Sequence, residues 1–395
     1  MSVLKNRIMR IGIDARLVPY EKKEGMAYYA LSLIENLPKI DKTNDYTFFY
    51  NIFLRGNKRF APDINNFNNC KNKFFPIPGR VLDFLWTKAK FPPIEFFLGN
   101  LDIFHTTAVT STPPYNYLPP QRKGKKIITI HDITPLLLPE PIKSVFDLSQ
   151  YKKGLDSVVK NADAIICISE STKDALIEYT GISRDKVYVV HFGISDDFFK
   201  ETREDRIKSV LNKYRINSKY IFNIGRLDYG KNTVNLIKAF NILRKNHNLK
   251  LVLTGNKGDA AEDVFKAIDI LGLSGDIIYL GYVVKEDLIS LLSAAELFVF
   301  PSFYEGFGLP NLEAMKCETP VVTSDIAVMR ELIGDAALLA DPNSPGSIAE
   351  AMIKVINDDN LRNVLVSRGK EKVKAFSWER TARDTVEVYR KVAGS

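Results

Sequence analysis

Residues 303–314 read FYEGFGLPNLEA, with Glu305 and Glu313 on either side of two glycines and a proline. The preceding ELFVFPS is a short apolar run rich in Phe and Val, the pattern of a buried strand. Leu309 and Pro310 follow the glycines, and proline is at home in the first turn of a helix. A strand-to-helix turn is therefore expected, with Glu305 in the turn and Glu313 about one turn into the helix. Backbone N–H groups at such a helix start favour an anion. A glutamate in that turn repels an anion unless it has another duty, such as holding hydroxyls. A ligand carrying both phosphate and hydroxyls suits this arrangement, and a sugar nucleotide is one. The competing reading is one capping glutamate and one solvated glutamate.

A second constellation lies in NIGRLDYGKN, where Gly225, Arg226, Gly230 and Lys231 fall between a strand and a helix. The spacing from Gly225 to Lys231 is that of a nucleoside-triphosphatase phosphate loop. Such a loop needs Ser or Thr next to hold magnesium, and here the residue is Asn232. What remains is two cations and two glycines at a strand end, set against the simpler reading of a loop with solvated bases. In IITIHDITPLLLP, His131 and Asp132 close an apolar strand, a signal that a satisfied structural histidine would give equally well. The chain has no His-x-x-x-His, Cys-x-x-Cys or Asp-x-Asp. Without Asp-x-Asp, a bound diphosphate would be neutralised by cationic side chains and a helix start rather than by a metal. Serine hydrolase chemistry has no Gly-x-Ser-x-Gly elbow to support it.

The elements that must position these residues follow from the alternation of apolar runs and helical patterns. MRIGID, YTFFYN, KFFPI, LDIFHT, KKIITIHD, ADAIICIS and KVYVVHFG read as strands, then KYIFNIG, LKLVLTG, DIIYLG, ELFVFPS, TPVVTS and AALLAD. Strands alternating with helices predict parallel sheets covered by helices. The 395 residues exceed one ordinary core, and a highly charged stretch at 196–218 separates two sets of strands. Two doubly wound domains are expected, with a ligand cleft at the carboxyl ends of their strands. RVLDFLWTKAKFPPIEFFL mixes aromatic and basic residues, yet its apolar positions nearly encircle a helix. A helix buried in the first domain is expected there rather than one lying on a membrane.

A net charge of +8 suits an anionic partner without choosing among phosphorylated small molecules, nucleic acid and an acidic membrane surface. Three scattered cysteines make neither a disulfide frame nor a zinc site, which points to a reducing compartment. The start lacks the apolar run of a signal peptide, and no run reaches the length of a membrane span. A cytoplasmic protein is expected, one that meets a membrane only at its surface.

Taken together, GRLDYGKN, PSFYEGFGLPNLEAMKCETPVV and GDAALLADP resemble the donor-domain signatures of the retaining glycosyltransferases of family four, of the GT-B fold. HDITPLLLP, CISESTKDAL and VHFGISDDFF are similar to its first-domain and linker motifs, and FSWERTARDTVEVYRKV to its closing helix. The resemblance implies an α/β GT-B architecture of two Rossmann-like doubly wound domains facing a central cleft. It implies an acceptor-binding domain at 1–198, a nucleotide-sugar domain at 199–376 and a helix at 377–395 crossing back to the first. Glu313 would hold the ribose hydroxyls and Glu305 would sit near the transferred sugar. Arg226 and Lys231 would hold the diphosphate and His131 would face the donor sugar, the catalytic set being His131, Glu305, Arg226 and Lys231. Gly25, Gly225, Gly306, Phe307, Gly308 and Leu309 would complete the donor-binding set.

The implied activity is retaining, metal-independent transfer of a hexose, of mannose or glucose type. It would pass from GDP-mannose or a UDP-hexose to a glycan or lipid-linked acceptor, with no further cofactor and peripheral contact with the inner membrane surface. The rivals are a sugar-nucleotide epimerase of the same fold and a basic nucleic-acid-binding protein, the latter without a concentrated basic stripe. Three positions depart from the family pattern: GMAYY carries Ala27 and Tyr28 for Gly and Arg, Glu318 replaces a Gly, and Arg330 a Pro.

Overall fold

The computed structural model describes residues 7–18, 25–53, 55–108, 118–137 and 148–394. Apolar runs without polar alternation are stable as strands only when both faces of their sheet are covered. Seven of them, β1 (Arg10–Asp14), β2 (Asp45–Asn51), β3 (Cys70–Phe75), β4 (Ile103–Thr106), β5 (Lys125–Ile130), β6 (Ala164–Cys167) and β7 (Val187–Val189), form one sheet. Their order is β3-β2-β1-β4-β5-β6-β7. Six more, β8 (Tyr220–Ile224), β9 (Lys250–Thr254), β10 (Ile277–Tyr279), β11 (Leu297–Phe300), β12 (Val321–Ser324) and β13 (Leu338–Ala340), form a second sheet. Its order is β10-β9-β8-β11-β12-β13. Pairing is parallel throughout, with Ile11 opposite both Tyr46 and Ile103, and Phe298 opposite both Phe222 and Val321. Every apolar run singled out in the sequence contains or overlaps a strand, KFFPI only through the last three residues of β3. Each sheet reverses its strand order once, between β1 and β4 and between β8 and β11. The segments leaving those strand ends are where doubly wound sheets hold ligands.

The described residues up to 136, those from 148 to 193 and those from 377 to 394 form one unit, and Ile194–Phe376 the core of the other. The closing helix Trp378–Gly394 buries Trp378, Thr381, Ala382, Thr385, Val386 and Tyr389 on one face, the three-and-four spacing of an amphipathic helix. It lies along the helix Met26–Ile40 of the first unit. Its Tyr389 hydroxyl hydrogen-bonds His105 Nδ1 at 2.7 Å, while His105 Nε2 meets Thr129 Oγ1 at 2.8 Å. Thr129 in turn meets the Tyr29 hydroxyl at 3.1 Å. Among the described residues no helix is long and apolar enough to cross a membrane.

The charged stretch at 196–218, which lies between the two sets of strands, holds the helix Glu204–Lys213, which buries only Val210. Its charges are used rather than merely solvated: Arg206, Lys213 and Tyr214 converge on the buried Asp287 at 2.7, 2.5 and 3.0 Å. The segment at 80–98 is not one buried helix. It forms the helices Gly79–Phe84 and Ile94–Leu98 with a wide turn of π-helix, Leu85–Ala89, after the first. Leu82, Trp86, Ile94, Phe97 and Leu98 are buried, whereas Val81, Phe84, Phe91 and Phe96 face outward. Apolar residues that encircle a helix cannot all reach a core lying on one side of it.

Candidate functional site

In the second unit the strand-order reversal brings the two loops together. Gly225 ends the β8 segment, and the aliphatic stem of Lys231 runs across it, 3.5 Å from where a Cβ would stand. The ammonium of Lys231 reaches Glu305 at 2.5 Å and lies 5.4 Å from the centre of the Phe300 ring. Backbone bonds fix the approach: Phe303 N–H donates to Gly230 O at 2.9 Å. Asn232 adopts a left-handed conformation at φ 58°. Its buried side-chain amide donates to Pro301 O at 2.8 Å and Pro342 O at 2.7 Å. The residue that would hold magnesium in a triphosphatase is thus used to tie loops together.

Gly306, Phe307 and Gly308 are buried and turn the chain into the helix Leu309–Lys316. Gly308 has φ 85°, which favours glycine, and a Cβ there would fall 2.4 Å from the Met329 methyl, which would have to move. No side chain caps this helix start, which leaves its first N–H groups for a ligand. Ser302 Oγ and Asn311 Oδ1 are buried near the turn without hydrogen-bond partners among the described residues. Neither is legible in the sequence, since a serine and an asparagine at such positions carry no spacing signal.

Arg226 is 59% exposed, its Nε 3.5 Å from Asp228 Oδ1, while Lys231 is 31% and Glu305 12% exposed. The cations therefore differ: one is enclosed and paired, the other reaches into solvent. Glu313 keeps part of its surface open, but its carboxyl is enclosed, and desolvation pushes it up to about 7 against the weaker pull of Lys285. The carboxyl thus changes charge near neutrality.

His131 and Gly25 belong to the first unit. His131 follows β5 and is buried; its Nε2–H donates to Thr107 O at 2.9 Å. Tyr29 meets the ring edge-on at 5.0 Å and Phe192 at 5.3 Å. Burial lowers its pKa to about 4, more than the Thr107 carbonyl and Asp132 raise it. The imidazole is neutral at physiological pH, with Nδ1 as an acceptor. His105 is the satisfied structural histidine, since both of its nitrogens are bonded inside the core. Gly25 stands before the helix Met26–Ile40 at φ 44°, with no atom of the described residues within 4 Å of where a Cβ would stand. Tyr28, one of the departures from the family pattern, packs edge-on against Trp378 of the closing helix at 5.6 Å. At the end of β1, Arg16 forks onto Asp14 with both side chains buried, a pair the sequence reading did not single out. Among the described residues no three His, Cys, Asp or Glu side chains converge as metal ligands.

Residues 24–198 match the model of Glycosyltransferase Family 4, and residues 204–372 that of Glycosyl transferases group 1. Over 279 residues the chain is 33% identical to the O-antigen chain mannosyltransferase B of Escherichia coli, spanning 70% of this chain and 72% of that protein. It is 28% identical over 307 residues to the serotype-specific mannosyltransferase WbdA of Escherichia coli, which is 76% of this chain and 37% of WbdA. Among solved structures, sucrose-phosphate synthase (tll1590) from Thermosynechococcus elongatus aligns with a TM-score of 0.76. That alignment covers 98% of this chain and 100% of the other at 20% identity, a likeness of fold.

Proposed function

The chain belongs to the two-domain GT-B glycosyltransferases, family 4 in its first half and group 1 in its second, and on that premise we propose that it transfers a hexose with retention. The donor is a nucleotide-diphosphate sugar and the acceptor a glycan or lipid-linked glycan of polysaccharide biosynthesis. GDP-mannose stands ahead of UDP-hexoses because the sequence relatives are named as mannosyltransferases. The observation that carries this reading is the meeting of Lys231, Glu305 and the uncapped glycine turn at the ends of β8 and β11.

In that arrangement Lys231, Arg226 and the helix start at Gly308 stabilise the diphosphate as the glycosidic bond breaks and its charge grows. Glu313 accepts the ribose hydroxyls. The role proposed for His131, carried over from the family resemblance, is that of a neutral acceptor for a hydroxyl of the donor sugar. Glu305 is paired with Lys231 through one oxygen, and the route we propose is the one the family resemblance implies, attack from the face of the departing phosphate without a covalent intermediate. The sequence's lack of Asp-x-Asp supports transfer without a metal, and no further cofactor is invoked. Cys70, Cys167 and Cys317 are buried free thiols, in keeping with work in the cytoplasm.

The test is a thermal-shift panel of GDP-, UDP-, ADP- and dTDP-sugars, followed by transfer to a mannose-terminated oligosaccharide with the product's anomeric configuration read by NMR. Stabilisation by GDP-mannose and an α-linked product formed equally well with EDTA are expected. An inverted product, or activity lost with EDTA and restored by magnesium or manganese, overturns the mechanism. Conversion of a UDP-sugar with no acceptor present would replace it by epimerisation.

A further inference from the structure

The outward face of residues 79–96 is chemically one-sided. Every exposed side chain in it is apolar or cationic: Arg80, Val81, Phe84, Lys88, Ala89, Lys90, Phe91 and Phe96. Phe84 is 62% and Phe96 73% exposed, a cost that a protein surface rarely carries four times within sixteen residues. The geometry of the first helix and its wide turn explains which residues emerge. Leu82 and Trp86 point to the core, so Val81, Phe84 and Lys88, three and then four residues apart, share the opposite face.

The segment is held rigidly. Trp86 Nε1–H donates to Pro92 O at 2.9 Å beside Phe91, and Ile94 N–H donates to Pro120 O at 2.7 Å beside Phe96. Its two acids do not offset the cations at the surface. Asp83 and Glu95 are half-buried, and Glu95 Oε1 accepts the backbone N–H groups of Arg122 and Lys123 at 2.7 Å each. That bond holds two more exposed cations beside the segment. Among the described residues, Arg80, Lys88, Lys90, Arg122 and Lys123 form no ion pair within 4 Å.

From this we infer that residues 79–96, with Arg122 and Lys123, dock the first unit on an anionic lipid bilayer. The phenylalanines and Val81 enter the headgroup boundary while the cations meet lipid phosphates. Charge complementarity supports a lipid surface at the level of the whole unit. Met1–Leu136, Lys143–Gly193 and Ser377–Ser395 contain 31 Lys and Arg against 21 Asp and Glu, and the rest of the chain 24 against 26. The whole positive excess therefore lies in the unit that exposes the aromatic face. Nucleic acid would also answer the charge, but a helical face of Val81 and Phe84 backed by Lys88 is the pattern of an interfacial helix.

None of these residues is among those assigned to the donor, so the two proposals fail independently. The full-length protein is sedimented with phosphatidylcholine vesicles, with and without phosphatidylglycerol. Binding only to the phosphatidylglycerol vesicles, weakened by salt, is expected. Each cation near an anionic surface strengthens partitioning about fivefold. Lys88→Glu with Lys90→Glu should therefore weaken binding more than about tenfold, as should Phe84→Ser with Phe91→Ser, with the nucleotide-sugar thermal shift unchanged. Phe84→Trp should show a blue-shifted emission on vesicle binding. No sedimentation of the parent with phosphatidylglycerol, variants that bind as the parent does, or preferential binding of the parent to an oligonucleotide would each overturn the inference.

Discussion

Lys231 and Arg226 carry the same charge in different settings, which makes their roles separable. If both act on the leaving diphosphate, the charge they meet grows as the sugar departs, and they favour the transition state over the bound donor. Replacing either with alanine should then slow single-turnover transfer about a hundred- to a thousandfold, roughly 2.7–4 kcal/mol. An exposed loop cation would be worth less than about 1 kcal/mol. Rates within about threefold of the parent for both variants would remove them from the site. Glu313 gives a second test at this scale. Its carboxyl, raised to about 7 by burial, must ionise to accept two ribose hydroxyls fully. Affinity for the nucleotide sugar should therefore rise about tenfold from pH 6 to pH 8, as the carboxylate fraction rises. Glu313→Gln should bind weakly with no such dependence. Calorimetry showing the same pH dependence in both proteins would refute the ribose assignment.

Elements translate these residues into a site, and their ends are where sequence departures have structural meaning. Glu318 follows the helix Leu309–Lys316 at φ 59°, a left-handed position where glycine is at ease and a residue with a Cβ is strained by about 1–2 kcal/mol. This explains why glycine is usual there in the family. Glu318 meets Lys370 at 2.8 Å, an ion pair with one partner half exposed and therefore of little worth. Glu318→Gly should stabilise the second unit by up to about 1 kcal/mol, after glycine's own entropy cost. Urea unfolding followed by circular dichroism measures it, and a lower midpoint would show that the Lys370 contact outweighs the backbone strain. Gly308 is the opposite case. Its φ of 85° disfavours any residue with a Cβ, and the Met329 methyl would also have to move aside.

At the scale of the molecule, pH reaches the two units differently. In the first, burial lowers His105 to about 3 and His131 to about 4, against an ordinary value of 6.5. The unfolded chain takes up these protons first, so their contribution is present above about pH 6.5 and is lost as the pH falls toward about 4 for His131 and about 3 for His105. Glu313 in the second unit has the opposite sign. With its folded value raised, its contribution is present below the ordinary 4.5 and is lost as the pH rises through about 7. Two histidines outweigh one glutamate between those limits. The melting temperature should fall as the pH is lowered from about 6.5 to about 5, and a rise over that range would contradict the neutral histidines.

The alternation of runs such as ELFVFPS and KKIITIHD with helical patterns was enough to locate the strands, because a strand buried on both faces has almost no choice but unbroken apolar sequence; the edge strand β3, half polar as CKNKFF, was caught only at its end. The places of Glu305, Gly308 and Glu313 around a strand-to-helix turn, and of Lys231 after the first strand of its unit, were legible too, since glycine and proline punctuate such turns. Only the tertiary structure decided which groups meet. That Lys231 rests on Glu305, that Asn232 ties Pro301 to Pro342, and that His105 and Tyr389 bond across 284 residues of chain are consequences of strand order. Spacing along a sequence carries no record of which strand ends become neighbours. The face at 79–96 shows the same limit. Its composition declared it apolar, but which side of the helix would find a core depended on where Trp86 and Phe97 met Phe49 of β2.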